Sequence, residues 1–156
     1  MIRAEYQRTL AVPPTAVFSY LSDPSNDVHW QASCAEATLL DGSTSPGSRY
    51  RIRFNFLGRR MDFACRILDS HPHDLYRFEV AEGPFKYVGQ YRFSTVGDGH
   101  TQLAWQFDVE PGRFFGILPV SLLRKVLISQ VEKDLANLET LLLARQVGVV
   151  EGPSHA

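Results

Sequence analysis

Between Arg49 and Val109 the side chains alternate with period two, set after set, and no helical period competes with them. Tyr50, Ile52, Phe54 and Phe56 oppose Arg49, Arg51, Arg53 and Asn55, and Met61, Phe63, Cys65 and Ile67 form the next set. Tyr76, Phe78 and Val80 follow, then Phe85, Tyr87, Tyr91 and Phe93, then Leu103, Trp105, Phe107 and Val109. Turn chemistry separates the sets: Pro46-Gly47, Gly58, Pro72-His73-Asp74, Gly83-Pro84 and Gly97-Asp98-Gly99. Breaks this short join antiparallel neighbours, because a parallel crossover takes a dozen or more residues. With an opening strand from Ile2 to Leu10, the pattern predicts an antiparallel meander of about six strands.

Helical signals lie only outside that stretch. Pro13-Pro14 stops the opening strand, and Pro14 suits the first turn of a short helix that carries Val17, Phe18 and Leu21. Ser22-Asp23-Pro24 can cap a second short helix that runs out near His29-Trp30. A long helix is predicted from about Pro119 to about Arg145. Val120, Leu123, Leu127, Val131, Leu135, Leu138 and Leu142 make its apolar stripe, while Lys125, Glu132, Lys133 and Glu139 fall elsewhere. It spans roughly 40 Å, more than the ~30 Å of a nine-residue strand, so one helix can cross the whole meander. Residues 147–156, with Gly148, Gly152 and Pro153, read as a frayed tail, leaving 1–146 as one domain.

Composition narrows the function classes. The 156 residues match one ordinary domain, and a hydrophobic share of 44% can fill its core. Sixteen Lys+Arg against seventeen Asp+Glu give a net charge of -1, so nucleic acid is not an expected partner. Two cysteines, Cys34 and Cys65, are too few for a disulfide framework and fit a reducing compartment. There is neither a signal pattern nor an apolar run near the ~20 residues that cross a bilayer, so the expectation is a cytoplasmic protein without stable membrane insertion.

Of the aromatic residues, ten Phe, six Tyr and two Trp, twelve of eighteen lie on the inner faces of the central strands. A flat sheet under one helix cannot shelter so much ring surface, whereas a sheet curled around the helix can. Gly89, at an inward position between Tyr87 and Tyr91, permits a bend or leaves space. The expected result is an apolar cavity between sheet and helix, the usual form of a small-molecule site, with a small hydrophobic ligand as partner. Its candidate binding residues are Tyr50, Phe54, Phe63, Tyr76, Phe78, Tyr87, Tyr91 and Trp105 from the strands and Leu127 and Val131 from the helix, with Trp30 at the mouth. Trp30 either stacks on a ligand or, the commoner fate of a large ring, plugs the gap between the short helices and the sheet.

Other features carry little chemistry. Alternation through Tyr6 and Leu10 points Arg8 inward, where a guanidinium needs an acidic partner or a ligand anion; a twist near the strand end would return it to water, the outcome favoured by how seldom arginine is buried. Asp62 and Arg66 share the outer face and suit an exposed ion pair rather than acid-base work. His71-Pro72-His73-Asp74 reads as a hairpin turn, since its imidazoles cannot close a tetrahedral metal site without ligands from elsewhere. Cys65 behaves as a small hydrophobe, and no nucleophile motif, phosphate loop or cofactor signature appears, so no catalytic residue is assigned. Arg113-Phe114-Phe115-Gly116-Ile117-Leu118-Pro119 is apolar enough to be a lid, a membrane-brushing loop or a loop packed over the cavity end.

The order of these elements resembles a known family. Val12-Pro13-Pro14 with Val17-Phe18, Leu21-Ser22-Asp23-Pro24, Trp30, Gly47, Gly89 with Tyr91 and Phe93, Thr101-Gln102-Leu103-Ala104-Trp105 and Leu135-Ala136-Asn137-Leu138-Glu139 are similar to the polyketide cyclase/dehydrase and lipid-transport group of the START/Bet v 1-like (SRPBCC) superfamily. The resemblance covers Ile2 to Arg145. It implies an α+β helix-grip fold, with a curved seven-stranded antiparallel sheet around a long C-terminal helix and two short helices between strands 1 and 2. It also implies a tunnel for lipids, sterols or polyketides, without selecting one chemistry. Binding of such a ligand is the leading expectation. The alternatives are a cyclase/dehydratase-type enzyme, in which an inward Arg8 or a tyrosine polarises a carbonyl, and a homodimeric module using Phe114 to Leu122.

Overall fold

The structure, a computed structural model, describes residues 1–151, with side-chain surroundings to 146. Seven strands form one sheet: β1 (Ile2–Leu10), β2 (Cys34–Leu39), β3 (Arg49–Phe56), β4 (Arg59–His71), β5 (Leu75–Glu82), β6 (Lys86–Val96) and β7 (His100–Glu110). Their order is β1-β7-β6-β5-β4-β3-β2, and every pairing is antiparallel. The meander from β2 to β7 follows from turns too short to cross over, and β1 returns to pair with β7, Ile2 opposite Val109 and Leu10 opposite Thr101.

Three helices accompany the sheet. α1 (Pro14–Leu21) opens with proline at its first position, where the missing N–H costs nothing. A single 3-10 turn (Pro24–Asn26), capped by Asp23 accepting from Ser25 N at 3.0 Å, leads into α2 (Asp27–Trp30). α3 (Val120–Glu151) is the long helix, and its backbone continues beyond the expected end at Arg145 into the segment read as a tail; residues 152–156 of that segment lie outside the described residues. Leu123, Val131, Leu135, Leu138 and Leu142 are buried as the stripe requires, but Val120 is exposed, since the helix begins there before the sheet can cover it.

The sheet has one more strand than its alternation shows. β2 has a bulge between Cys34 and Glu36 and only Cys34 buried, so as an edge strand with both faces near water it carries no clean two-residue rhythm. Phe85 belongs to the turn before β6 rather than to the strand. Of the two uses read for Gly89, a bend or an open space, the space is taken: a Cβ there would collide with the Phe78 ring, which lies against the glycine backbone.

Arg8 keeps the inward phase of β1 and does not turn out to water as favoured; its side chain stays about two-thirds covered, 32% exposed. Its Nη2 and Nε donate to Glu139 Oε1 on α3 at 2.9 and 3.1 Å, and Glu139 Oε2 accepts from Ala11 N at 3.1 Å. The acidic partner that an inward-pointing arginine needs is thus supplied from the helix, tying the first strand to α3.

Candidate functional site

Between the concave face of the sheet and α3 lies a cavity of about 120 Å³, partly open to solvent. That is an order of magnitude above the ~10–15 Å³ one water needs. β3 contributes Tyr50, Ile52, Phe54 and Phe56, and β4 contributes Met61 and Phe63. Phe78, Phe85, Tyr87, Trp105, Phe107 and Val109 continue the wall across β5 to β7, Phe115 closes one edge, and Leu127 and Val131 face them from α3. The strand residues arrive together because they share one parity in three paired registers: Tyr50 opposite Cys65, Ile52 opposite Phe63, Tyr87 opposite Val109.

Eight expected residues line this space: Tyr50, Phe54, Phe63, Phe78, Tyr87, Trp105, Leu127 and Val131. Trp30, Tyr76 and Tyr91 do not. Trp30 is the plug rather than a stacking platform: it is buried, with its ring 5.1 Å from Trp105 and 6.3 Å from Tyr91. Tyr76 and Tyr91 stack on each other at 6.2 Å and 10° within solid packing, where the Tyr76 hydroxyl has no partner among the described residues.

The tyrosines are held neutral. Burial pushes Tyr50, Tyr87 and Tyr91 well above the usual phenol range, and Tyr76 upward as well. The Tyr87 hydroxyl lies 3.5 Å from Cys65 Sγ, and burial raises that thiol to about 11. Burial likewise takes Cys34 to about 12, so neither cysteine is an activated nucleophile.

Sequence reasoning missed the polar wall. Asp27, Gln31 and Ser33 from α2 and the lead-in to β2, with Gln130 and Asp134 from α3, line the same cavity. Asp134 is 2% exposed, and its Oδ1 accepts from Ala32 N at 3.1 Å and Gln130 Nε2 at 2.9 Å. Burial raises its carboxyl pKa, and those two hydrogen bonds partly offset the rise. Asp27 is 7% exposed and its pKa stands well above the carboxylate range because of burial. The Trp30 indole N–H opposes that rise, although its contact with the carboxyl falls outside ordinary hydrogen-bond geometry. Asp134 was readable: three residues after Val131 and four before Leu138, it sits on the buried stripe. Asp27 gave no such signal in a four-residue helix.

The remaining features are structural. His71-Pro72-His73-Asp74 is a turn, with Asp74 N donating to His71 O at 3.0 Å and His73 at φ 64. The ion pair expected between Asp62 and Arg66 does not form: Asp62 pairs with Arg53 and Arg60, and Arg66 with Glu79, because the cross-strand register sets Arg53 beside Asp62 and Glu79 beside Arg66 on the outer face. Segment 111–119 divides its residues: Phe115 lies 5.4 Å from Phe85 and 6.3 Å from Phe56, and Arg59 stacks 4.0 Å over Phe114, whereas Ile117 is fully exposed. No helix among the described residues is long and apolar enough to cross a membrane.

The sequence matches the model of the family described as polyketide cyclase / dehydrase and lipid transport over residues 1–142. The chain belongs to that family. Solved structures share the fold at low identity. A protein from Thermus thermophilus is 22% identical with a TM-score of 0.79, over 92% of this chain and 98% of its own. A START superfamily protein from Mycobacterium smegmatis is 18% identical with a TM-score of 0.78, over 91% and 97%. The Zhui aromatase/cyclase from a Streptomyces species is 20% identical with a TM-score of 0.69, over 95% and 94%. No curated protein matches the sequence closely enough to count as a relative.

Proposed function

We propose that this member of the family binds a small hydrophobic molecule, a lipid or polyketide-like compound, between the sheet and α3. The observation that carries the reading is that the rings of Phe54, Phe56, Phe85, Tyr87, Phe107 and Phe115 are left half-buried around a hollow they do not fill. Enclosing ~300 Å² of apolar ligand surface contributes about 7 kcal/mol at ~25 cal/mol per Å², before ordering costs, which suffices for micromolar affinity. With both thiols buried and free, a reducing compartment such as the cytoplasm is the proposed setting.

A neutral fluorescent reporter, N-phenyl-1-naphthylamine, tests the reading: bound emission should saturate with added protein, and Val131→Trp, which fills the hollow, should abolish it. Emission that never rises overturns the proposal.

Two other readings have one observation each. A cyclase-type reaction, as the name of the Zhui neighbour suggests, would use the Tyr50 or Tyr87 hydroxyl as a neutral donor to a ligand carbonyl; Arg8 is engaged by Glu139 and does not line the cavity. Pairing of two copies has the exposed Ile117, Val120 and Leu122 in its favour, and sedimentation across a concentration series decides it.

A further inference from the structure

The polar wall of the cavity carries acids and no bases among the described residues. Asp27 and Asp134 bring two carboxyls to it and Gln31, Ser33 and Gln130 bring neutral groups, while no Lys, Arg or His lines the cavity among the described residues. Asp134 uses Oδ1 for both of its donors, which leaves Oδ2 without a hydrogen bond among the described residues. The Asp27 carboxyl, more than nine-tenths buried, has the Trp30 indole N–H beside it, outside ordinary hydrogen-bond geometry. Two carboxyls with no counter-charge beside an oily hollow carry a burial cost that nothing in the lining offsets. A ligand that supplies donors, and above all a positive charge, removes that cost.

We infer that the α2 and α3 side of the cavity takes the polar end of the ligand and selects a head that donates hydrogen bonds and bears no negative charge: a protonated amine before an alcohol, and an alcohol before a carboxylate. The inference rests on the cavity being a hydrophobic ligand site and adds the class of amphiphile that fits it. An ionised fatty-acid head makes ionisation of the two buried carboxyls still harder, and no Lys, Arg or His lines the cavity among the described residues to neutralise that head. A hydroxyl supplies one donor and an ammonium three donors with the missing charge.

The test uses the full chain loaded with N-phenyl-1-naphthylamine and displaces that reporter with 4-phenylbutylamine, 4-phenylbutanol or 4-phenylbutanoate, three ligands with one aromatic body and different heads. The amine should displace it at a concentration at least about tenfold below the carboxylate, a difference of about 1.4 kcal/mol, with the alcohol between. Asp27→Asn and Asp134→Asn, which keep shape and an acceptor oxygen, should each narrow the gap between amine and alcohol, and together bring it within about threefold. Displacement by the carboxylate as readily as by the amine overturns the inference and leaves the ligand-binding reading standing. An amine preference that survives in the double variant does the same, as does a bound reporter that none of the three ligands displaces. Failure of the reporter itself to bind removes both. The comparison of heads on the unaltered protein needs no variant to fold.

Discussion

The interior has two halves built from the same kinds of residue and finished differently. In the closed half, Phe18 of α1 meets Phe93 at 5.3 Å, Trp30 of α2 meets Trp105 at 5.1 Å, and Tyr76 stacks on Tyr91, all almost fully buried beside Leu135, Leu138 and Leu142 of α3. In the open half, Phe54, Phe56, Phe85, Tyr87 and Phe107 occupy equivalent inward positions and stay half-buried. The difference lies in the cover. Three helices converge on the first group, whereas the second has the early turns of α3 and Phe115 above it. Alternation therefore decides which face is apolar, and the lid over each stretch decides whether that face becomes core or binding surface.

The contrast breaks most visibly under truncation. Tyr91→Ala should lower unfolding free energy by about 3–5 kcal/mol, the range for emptying a packed aromatic site, whereas Phe56→Ala should cost less than about 2 kcal/mol, because its ring is already partly wet. Denaturant titrations of the two variants check this, and equal losses would mean that the halves do not differ. A smaller effect is expected where the halves meet: Gly89→Ala drives a methyl into the Phe78 ring and should cost about 1–3 kcal/mol. Adding Phe78→Leu should recover part of it in the same assay, and an additive loss would show that the ring is not the obstacle.

The last prediction sharpens the contrast through pH. Burial raises the Asp27 pKa in the folded state, so the folded chain holds that proton at pH values where the unfolded chain, near its ordinary ~3.9, has released it. Its contribution is fully present below about pH 4 and is lost as pH rises through the folded value. Asp27→Asn removes the loss, so the variant should melt higher than the parent at pH 8 and match it near pH 4 in parallel thermal scans. A gain that is constant with pH would mean that the carboxyl does not stay buried.

Most of the frame was legible in the sequence because the patterns were long. Five strands of the meander, the opening strand and the α3 stripe each repeat a period often enough to outweigh exceptions. The edge strand β2 was not, since a bulge and exposure on both faces erase alternation within six residues. At the site, periodicity found the apolar lining but could not tell Tyr87, facing the hollow, from Tyr91, two registers further into the packed half, because both lie inward and only the helices above them differ. The carboxyls escaped for the opposite reason. Composition treats aspartate as a surface residue, and Asp134 on the buried stripe is visible only when the stripe is read for what interrupts it.

The pairing of β1 with β7 has a consequence for how the molecule comes into being. Five of the six ladders join neighbouring strands, but β1 waits for a partner that begins at His100, and Arg8 waits 131 positions for Glu139. On a ribosome the first strand emerges with an unsatisfied edge and no ladder to join until β7 has followed it out. Such distant closure slows the search for the native topology. The nascent chain should therefore be most dependent on chaperones just before its last helix appears.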